Sequence, residues 1–267
     1  MRQLPAAALL VVALTVPVAS AAPPAPDVKI LPRPGHQVPP ELAFRDEDGE
    51  PVEIGRYFGE KPVVLVLSYF RCPRLCTEVL NDMTRALRGV GPLSAGRDFQ
   101  VVVVSFDPRE KPALAAAKKR SYVDDYGRPG TEAGWHFLTG EKPDIDCLEE
   151  AVGFRAVYDA KDDQFAHDSA VILLTPQGKV SRYLFGLGYN PRDMRLALVE
   201  SSEGKVGSLL DHVLLLCFHY DPAKGKYSAT VLSIVRVGGA VTMLAMIVFW
   251  ARVARRSLRT TDVAAAE

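Results

Sequence analysis

The sequence predicts an α/β domain built on a parallel sheet, with a transmembrane helix near the C-terminus. Two continuous apolar and β-branched runs, Val63 to Tyr69 and Phe99 to Phe106, each precede a helical pattern. Such runs are typical of parallel strands that are buried on both faces. Two further strand patterns, Ala170 to Thr175 and Val180 to Phe185, flank the turn Pro176-Gln177-Gly178 and form a closing hairpin. This alternation of strands and helices indicates one α/β sheet with flanking helices.

The elements of the predicted soluble domain, residues 41–205, follow one another through short connections. The domain begins with a hairpin over Leu42–Phe44 and Val52–Ile54, which turns at Asp48-Gly49. The spacing of apolar residues predicts the elements that lie between the strands named above. These are helices over Val79–Leu87, Lys111–Tyr126, Asp144–Val152 and Arg192–Ser201, and a short strand over Trp135–Leu138.

The N-terminal residues 1–21 have the pattern of a cleaved signal peptide. Arg2 is followed by the apolar stretch Leu4 to Val18 and by the small residues Ala19-Ser20-Ala21. An uncleaved anchor is the alternative, but the apolar run is shorter than the ~20 residues that span a bilayer. Residues 22–40 are proline-rich and are expected to form an extended, mobile linker.

The C-terminal part of the chain predicts a membrane anchor. After a juxtamembrane segment over residues 206–230, residues 231–251 are apolar over about the thickness of a bilayer. The tail over residues 252–267 carries four arginines, which favour a cytoplasmic position by the positive-inside rule. The soluble domain is therefore expected on the other side of the membrane, which is the periplasm in a Gram-negative cell.

The composition excludes several classes of function. The 32 Lys+Arg residues balance 32 Asp+Glu residues, and no basic block lies in the soluble part, so nucleic-acid binding is not expected. The chain also has no glycine-rich phosphate loop and no GxSxG or HExxH motif.

Cys72 and Cys76 are the first candidates for chemistry. They lie in the motif CPRLC, after a buried strand and at the start of a helix. The partial positive charge of a helix N-terminus lowers the pKa of a thiol, and the thiolate is both the nucleophile and the metal ligand. The placement therefore suits redox exchange and soft-metal binding alike, with two structural thiols as the alternative.

His167 is the next candidate, because it lies in a loop just before a buried strand. A solvated loop histidine is the alternative. Two thiolates and one imidazole form a soft set of three ligands that suits Cu(I), and an added oxygen ligand accommodates Cu(II). Zinc is less favoured, because structural zinc sites usually have four protein ligands with paired CxxC spacing. Cys147 and Cys217 are expected to be buried core residues, although Cys217 with His219 offers an alternative metal pair.

The motifs FRCPRLC and AHDSAVILLTPQGKV resemble the Sco/SenC family of copper-binding, thioredoxin-like proteins. The SFDP motif at residues 105–108 and the segment WHFLTG at residues 135–140 also look like the family's pattern, so the match covers about residues 36–200. The resemblance implies a thioredoxin-like fold, copper bound by Cys72, Cys76 and His167, and a role in cytochrome c oxidase assembly. It implies, as partners, the copper-binding subunit of the oxidase and other periplasmic copper chaperones or thiol reductants.

One further position matches the family, and the membrane anchor departs from it. Asp107 matches an acidic position near the metal or at a docking surface, and its alternative is an Asp-Pro turn that only ends the strand. The usual family anchor is N-terminal, whereas this chain has a predicted C-terminal anchor.

The leading interpretation is a membrane-anchored metallochaperone that is not a turnover enzyme. The alternative is a thiol–disulfide oxidoreductase that reduces the cysteines of the oxidase copper site. A peroxidase-like enzyme is a third and weaker interpretation, because it would need one cysteine activated by a threonine and an arginine.

Overall fold

The computed structural model describes residues 28–72, 75–206, 220–221, 226–227 and 239–250 of the chain. Within residues 28–206, strands and helices alternate as the sequence pattern predicts. The strands are β1 (Ala43–Arg45), β2 (Pro51–Glu53), β3 (Val63–Ser68), β4 (Gln100–Ser105), β5 (Trp135–Gly140), β6 (Ala156–Asp159), β7 (Gln164–His167), β8 (Ala170–Leu174) and β9 (Val180–Phe185). The helices are α1 (Leu75–Arg88), α2 (Pro112–Tyr126), α3 (Lys142–Ala151) and α4 (Pro191–Ser202).

Seven strands form the main sheet in the order β2-β1-β5-β4-β3-β8-β9. Strands β3, β4 and β5 pair in parallel, and the other neighbours in the sheet pair antiparallel. Strands β3 and β4 are the β-branched runs, and every residue of β3 is buried. The mixed α/β sheet with flanking helices confirms the predicted α/β domain and fits a thioredoxin-like fold.

The side chains of each strand alternate between two hydrophobic cores. On one face, Val64 and Val66 pack with Leu80 and Met83 of α1, and α2 and α4 cover the same face. On the other face, Leu65 and Leu67 pack with the buried side of α3. Cys72 and Cys76 belong to this second core, so both thiols lie at its rim on the end of β3.

Strands β6 and β7 form a separate two-stranded ribbon, in which Ala156 lies opposite His167. The sequence pattern does not predict this ribbon. Its strands have four residues each and show little apolar alternation, so the periodicity signal for a strand is weak.

The proline-rich segment differs from the mobile linker that its composition predicts. Ile30 and Val38 are buried, and the backbone N–H groups of Leu31 and Val38 donate to carbonyl groups of Gly153 and Gly178. A polar, proline-rich composition indicates extended backbone, but two apolar side chains and these hydrogen bonds hold residues 30–38 on the domain.

The predicted terminal segments fall largely outside the described residues. The signal peptide lies there entirely, and so does most of residues 206–230. Tyr220–Asp221 and Lys226–Tyr227 form a short antiparallel pair, and residues 239–250 are helical with exposed side chains. Across the described ranges, no helix is both long and apolar enough to cross a membrane.

Candidate metal centre

The two cysteines lie where the end of strand β3 passes into helix α1. Cys76 is the second residue of α1, and Cys72 precedes the helix. The loop before them is held by Glu110, whose buried carboxylate accepts hydrogen bonds from the backbone N–H groups of Phe70 and Arg71 at 2.7 and 2.8 Å. Since ligand sites on parallel sheets form beyond the carboxyl ends of the strands, this position suits a binding site.

His167 ends strand β7, and the ribbon of β6 and β7 brings it to the cysteines. Its Nε2 atom lies 3.1 Å from the Sγ atom of Cys76, and its Nδ1 atom lies 2.7 Å from the carbonyl oxygen of Asp168. A carbonyl oxygen only accepts, so Nδ1 carries the proton and donates it. Nε2 therefore faces the Cys76 sulfur and is the ring nitrogen placed to bind a metal.

The donor atoms of Cys72, Cys76 and His167 all lie within 4.8 Å of one another. Cys72 and Cys76 are 8% and 2% exposed, so the centre is nearly closed to solvent on the cysteine side. Two sulfurs and one imidazole nitrogen at this spacing are a soft donor set that can bind copper. The structure thus brings together the three residues that the sequence singled out.

The pKa of Cys76 is raised, whereas its position at a helix N-terminus predicts a lowered pKa. Hydrogen bonding with the Cys72 thiol, followed by burial, raises the pKa of Cys76 well above its ordinary value. The N–H of Cys76 donates to the Sγ atom of Cys72 at 3.4 Å, so this N–H of the helix terminus serves the neighbouring sulfur and not that of Cys76. The prediction of a lowered pKa is therefore wrong for Cys76, because two thiols in one buried site cannot both ionise easily.

Aromatic rings surround the imidazole of His167. The ring centroids of Phe106, Phe154 and Tyr69 lie 5.2, 6.0 and 6.1 Å from that of His167. Phe165, two residues earlier on β7, packs on Tyr69 and Phe106 with centroid distances of 5.4 Å. These rings limit the orientations of the imidazole and exclude water from one side of the centre.

Asp107 is not among the donors that converge on this centre. Its carboxylate is buried and accepts from Nε and Nη2 of Arg109, each at 2.8 Å. Its Oδ1 atom also accepts from the backbone N–H of Arg109 at 3.0 Å, which closes the turn after β4. The ion pair with Arg109, whose side chain is 48% exposed, is a role that neither of the sequence-based alternatives for Asp107 included.

The other candidate residues lie apart from the centre. Cys147 is exposed on α3, so its predicted burial is wrong: the buried stripe of that helix contains Ile145 and Leu148, and Cys147 points elsewhere. Cys217 and His219 lie outside the described residues. The ring of His136 on β5 lies tilted against that of Tyr57, with centroids 4.2 Å apart, and burial lowers the pKa of His136 to about 4.

A buried dithiol and an imidazole on a thioredoxin-like scaffold define a soft-metal or thiol-redox protein. Comparison with protein families gives a match to SCO1/SenC over residues 32–200. The chain belongs to the SCO1/SenC family, as the sequence motifs predict. No curated protein matches the chain in a sequence comparison.

Solved structures support the fold. A protein from Aquifex aeolicus VF5 is 24% identical with a TM-score of 0.56, covering 67% of this chain and 98% of that one. BsSco, described as a member of the Sco family of cytochrome c oxidase assembly proteins, is 22% identical with a TM-score of 0.51, covering 66% and 100%. A SCO1/SenC family lipoprotein from Bacillus anthracis str. Ames is 21% identical with a TM-score of 0.51, covering 64% and 98%.

Proposed function

We propose that this protein is a copper metallochaperone that holds copper between Cys72, Cys76 and His167 and supplies it to cytochrome c oxidase. The observation that carries the proposal is the convergence of the three donor atoms within 4.8 Å. Membership of the SCO1/SenC family supports it, and BsSco is described as belonging to cytochrome c oxidase assembly proteins.

Copper is the cargo that best fits the donors. Thiolate sulfur and imidazole nitrogen favour Cu(I), and Nε2 of His167 adds a third ligand that Cu(II) requires beyond two sulfurs. Because the pKa of Cys76 is raised, its proton must leave when the metal binds. Copper binding therefore releases protons and weakens in acid.

A thiol–disulfide oxidoreductase is the second candidate, because the two thiols are hydrogen-bonded neighbours. In that reaction a substrate disulfide gains two electrons and two protons, while Cys72 and Cys76 lose them and form their own disulfide. The exchange requires an accessible thiolate and no third ligand. His167 therefore separates the two functions.

We also propose that the domain is held at the inner membrane by residues 231–251 and faces the periplasm. The apolar segment and the arginine-rich tail after it support this topology. The partner that fits is the copper-binding subunit of the oxidase, with periplasmic copper chaperones or thiol reductants as donors.

The test uses full-length protein and cells in which each variant is the only copy. The wild type should bind about one copper per chain, as one three-donor site allows. His167→Ala should lose oxidase copper and activity nearly as strongly as Cys72→Ser, yet keep a Cys72–Cys76 pair that forms and breaks a disulfide. His36→Ala and Cys147→Ser are matched controls, because both side chains are exposed and lie outside the donor set.

Near-normal oxidase in His167→Ala, together with its loss in both cysteine variants, would favour the oxidoreductase. Copper retained at full stoichiometry in the double variant Cys72→Ser, Cys76→Ser would rule out this site altogether.

A further inference from the structure

We propose that the turn after strand β4, residues 107–110, braces the metal centre, and that Arg109 is the positioning residue for His167. We call this turn the brace. The inference rests on the proposed copper site. It adds the contacts that set the distance between the two cysteines and His167.

One arm of the brace reaches the cysteine loop. The Glu110 carboxylate is buried and accepts from Phe70 N, Arg71 N and Ser105 Oγ at 2.7, 2.8 and 2.6 Å. Ser105 is the last residue of β4, and Cys72 follows Arg71 directly. Glu110 therefore ties the chain just before Cys72 to the end of the central sheet.

The other arm reaches the ribbon that carries His167. The Arg109 guanidinium uses Nε and Nη2 for Asp107, and its Nη1 donates to Asp163 Oδ1 at 2.9 Å and to the Tyr158 hydroxyl at 3.3 Å. Tyr158 also donates to Asp163 at 2.7 Å. Because Asp107 is buried and fixed in the turn, Arg109 links the ribbon to a rigid point of the domain.

The guanidinium also lies over two aromatic rings of the ribbon. Its central carbon is 4.8 Å from the ring centroid of Tyr158 on β6 and 5.7 Å from that of Phe165 on β7. Planar stacking and forked hydrogen bonds are properties of arginine that lysine does not reproduce. Arg109 therefore holds both strands of the ribbon at once.

The ribbon depends on such contacts because it is not a part of the main sheet. Among the described residues, its other contacts with the domain include the packing of Ala156, Phe165 and the His167 ring, and a hydrogen bond between the N–H of Ala156 and the Glu149 carboxylate. None of these contacts is an ion pair that ties both strands to the turn after β4, as Arg109 does. Loss of Arg109 should thus shift His167 relative to the cysteines while the core, which contains Cys72 and Cys76, stays intact.

The test measures copper binding by full-length protein in detergent. Arg109→Ala should weaken copper affinity about ten-fold, within the 10–100-fold range for partners that orient metal ligands. Arg109→Lys should recover part of the loss. Arg97→Ala is the matched control, since Arg97 is an exposed arginine paired with Asp98 at 2.8 Å on the loop before β4. It should bind copper like the wild type.

Two readouts separate positioning from general damage. In the Cu(II) form, electron paramagnetic resonance should show weaker nitrogen coupling in Arg109→Ala than in the wild type. In a His167→Ala background, Arg109→Ala should have no further effect on affinity, because the ligand that it positions is already gone. Additive losses in the double variant, or unchanged affinity and coupling in Arg109→Ala, would overturn the brace.

This failure is distinguishable from failure of the proposed function. If the wild type binds copper through the cysteines and His167 while Arg109→Ala behaves as Arg97→Ala does, only the brace is wrong. If copper binding by the wild type does not depend on Cys72, the proposed copper site is wrong, and so is the proposed role of the brace.

Discussion

Replacement of Glu110 by alanine should strongly destabilise the domain. The carboxylate is 2% exposed and accepts three hydrogen bonds from groups on the cysteine loop and on β4. Hydrogen bonds to a charged acceptor contribute about 1.5–3 kcal/mol each, and a buried donor left alone costs about 1–3 kcal/mol. Phe70 is buried, so its N–H loses its partner, whereas the exposed Arg71 can turn its N–H to water.

Relief of the buried charge offsets part of this loss, so the expected net decrease in the free energy of unfolding is about 3 kcal/mol. For a domain of this size that is a fall in Tm of roughly 6–12 °C. Glu110→Gln should lower the free energy of unfolding less, because its amide oxygen can still accept hydrogen bonds from the Phe70 N–H and the Ser105 hydroxyl. Glu60→Ala, which removes an exposed carboxylate, should change stability by less than about 0.5 kcal/mol.

The assay is urea unfolding of the copper-free, reduced protein, followed by the fluorescence of buried Trp135. The midpoint should move while the slope stays constant. A loss below about 1 kcal/mol for Glu110→Ala would refute the argument that this carboxylate holds the cysteine loop.

Two further predictions concern pH and topology. Burial raises the pKa of Glu149 to about 7, so its proton stabilises the fold below pH 4.5 and this contribution is lost as the pH rises through 7. In urea titrations between pH 4.5 and 7, the free energy of unfolding of the wild type should fall by about 1–2 kcal/mol relative to that of Glu149→Gln. A difference between the two proteins that stays constant with pH would contradict this role of Glu149. For topology, a reporter fused after Glu267 should be active only in the cytoplasm and one fused near Ser201 only outside it, and the reverse pattern would exclude the proposed orientation.

The main sheet could be predicted from sequence because its signal is local. Two of the parallel strands are unbroken apolar and β-branched runs, and the structure has them at Val63–Ser68 and Gln100–Ser105, within the predicted spans. Cys72 and Cys76 were identifiable for the same reason, since four residues of separation after a strand place both at one helix start.

The ribbon and the brace could not be predicted in this way. Arg109 and Asp163 are 54 residues apart, and neither has a neighbour in sequence that signals the ion pair. The Asp163 side chain is 75% exposed, as is usual for a loop carboxylate, yet it binds Arg109. Long-range polar contacts depend on how the elements pack, which periodicity alone does not determine.

The state of the thiols also depends on packing, and it bears on the choice between the two functions. Disulfide exchange is fastest with an exposed thiolate, but Cys76 is 2% exposed and its pKa is raised by Cys72 and by burial. Cys72 would have to attack alone, at 8% exposure. A metal ion does not require a preformed thiolate, because the thiols lose their protons as the metal binds to the sulfur atoms. The arrangement of buried thiols facing Nε2 of His167 therefore supports the proposed copper-holding function more than rapid exchange.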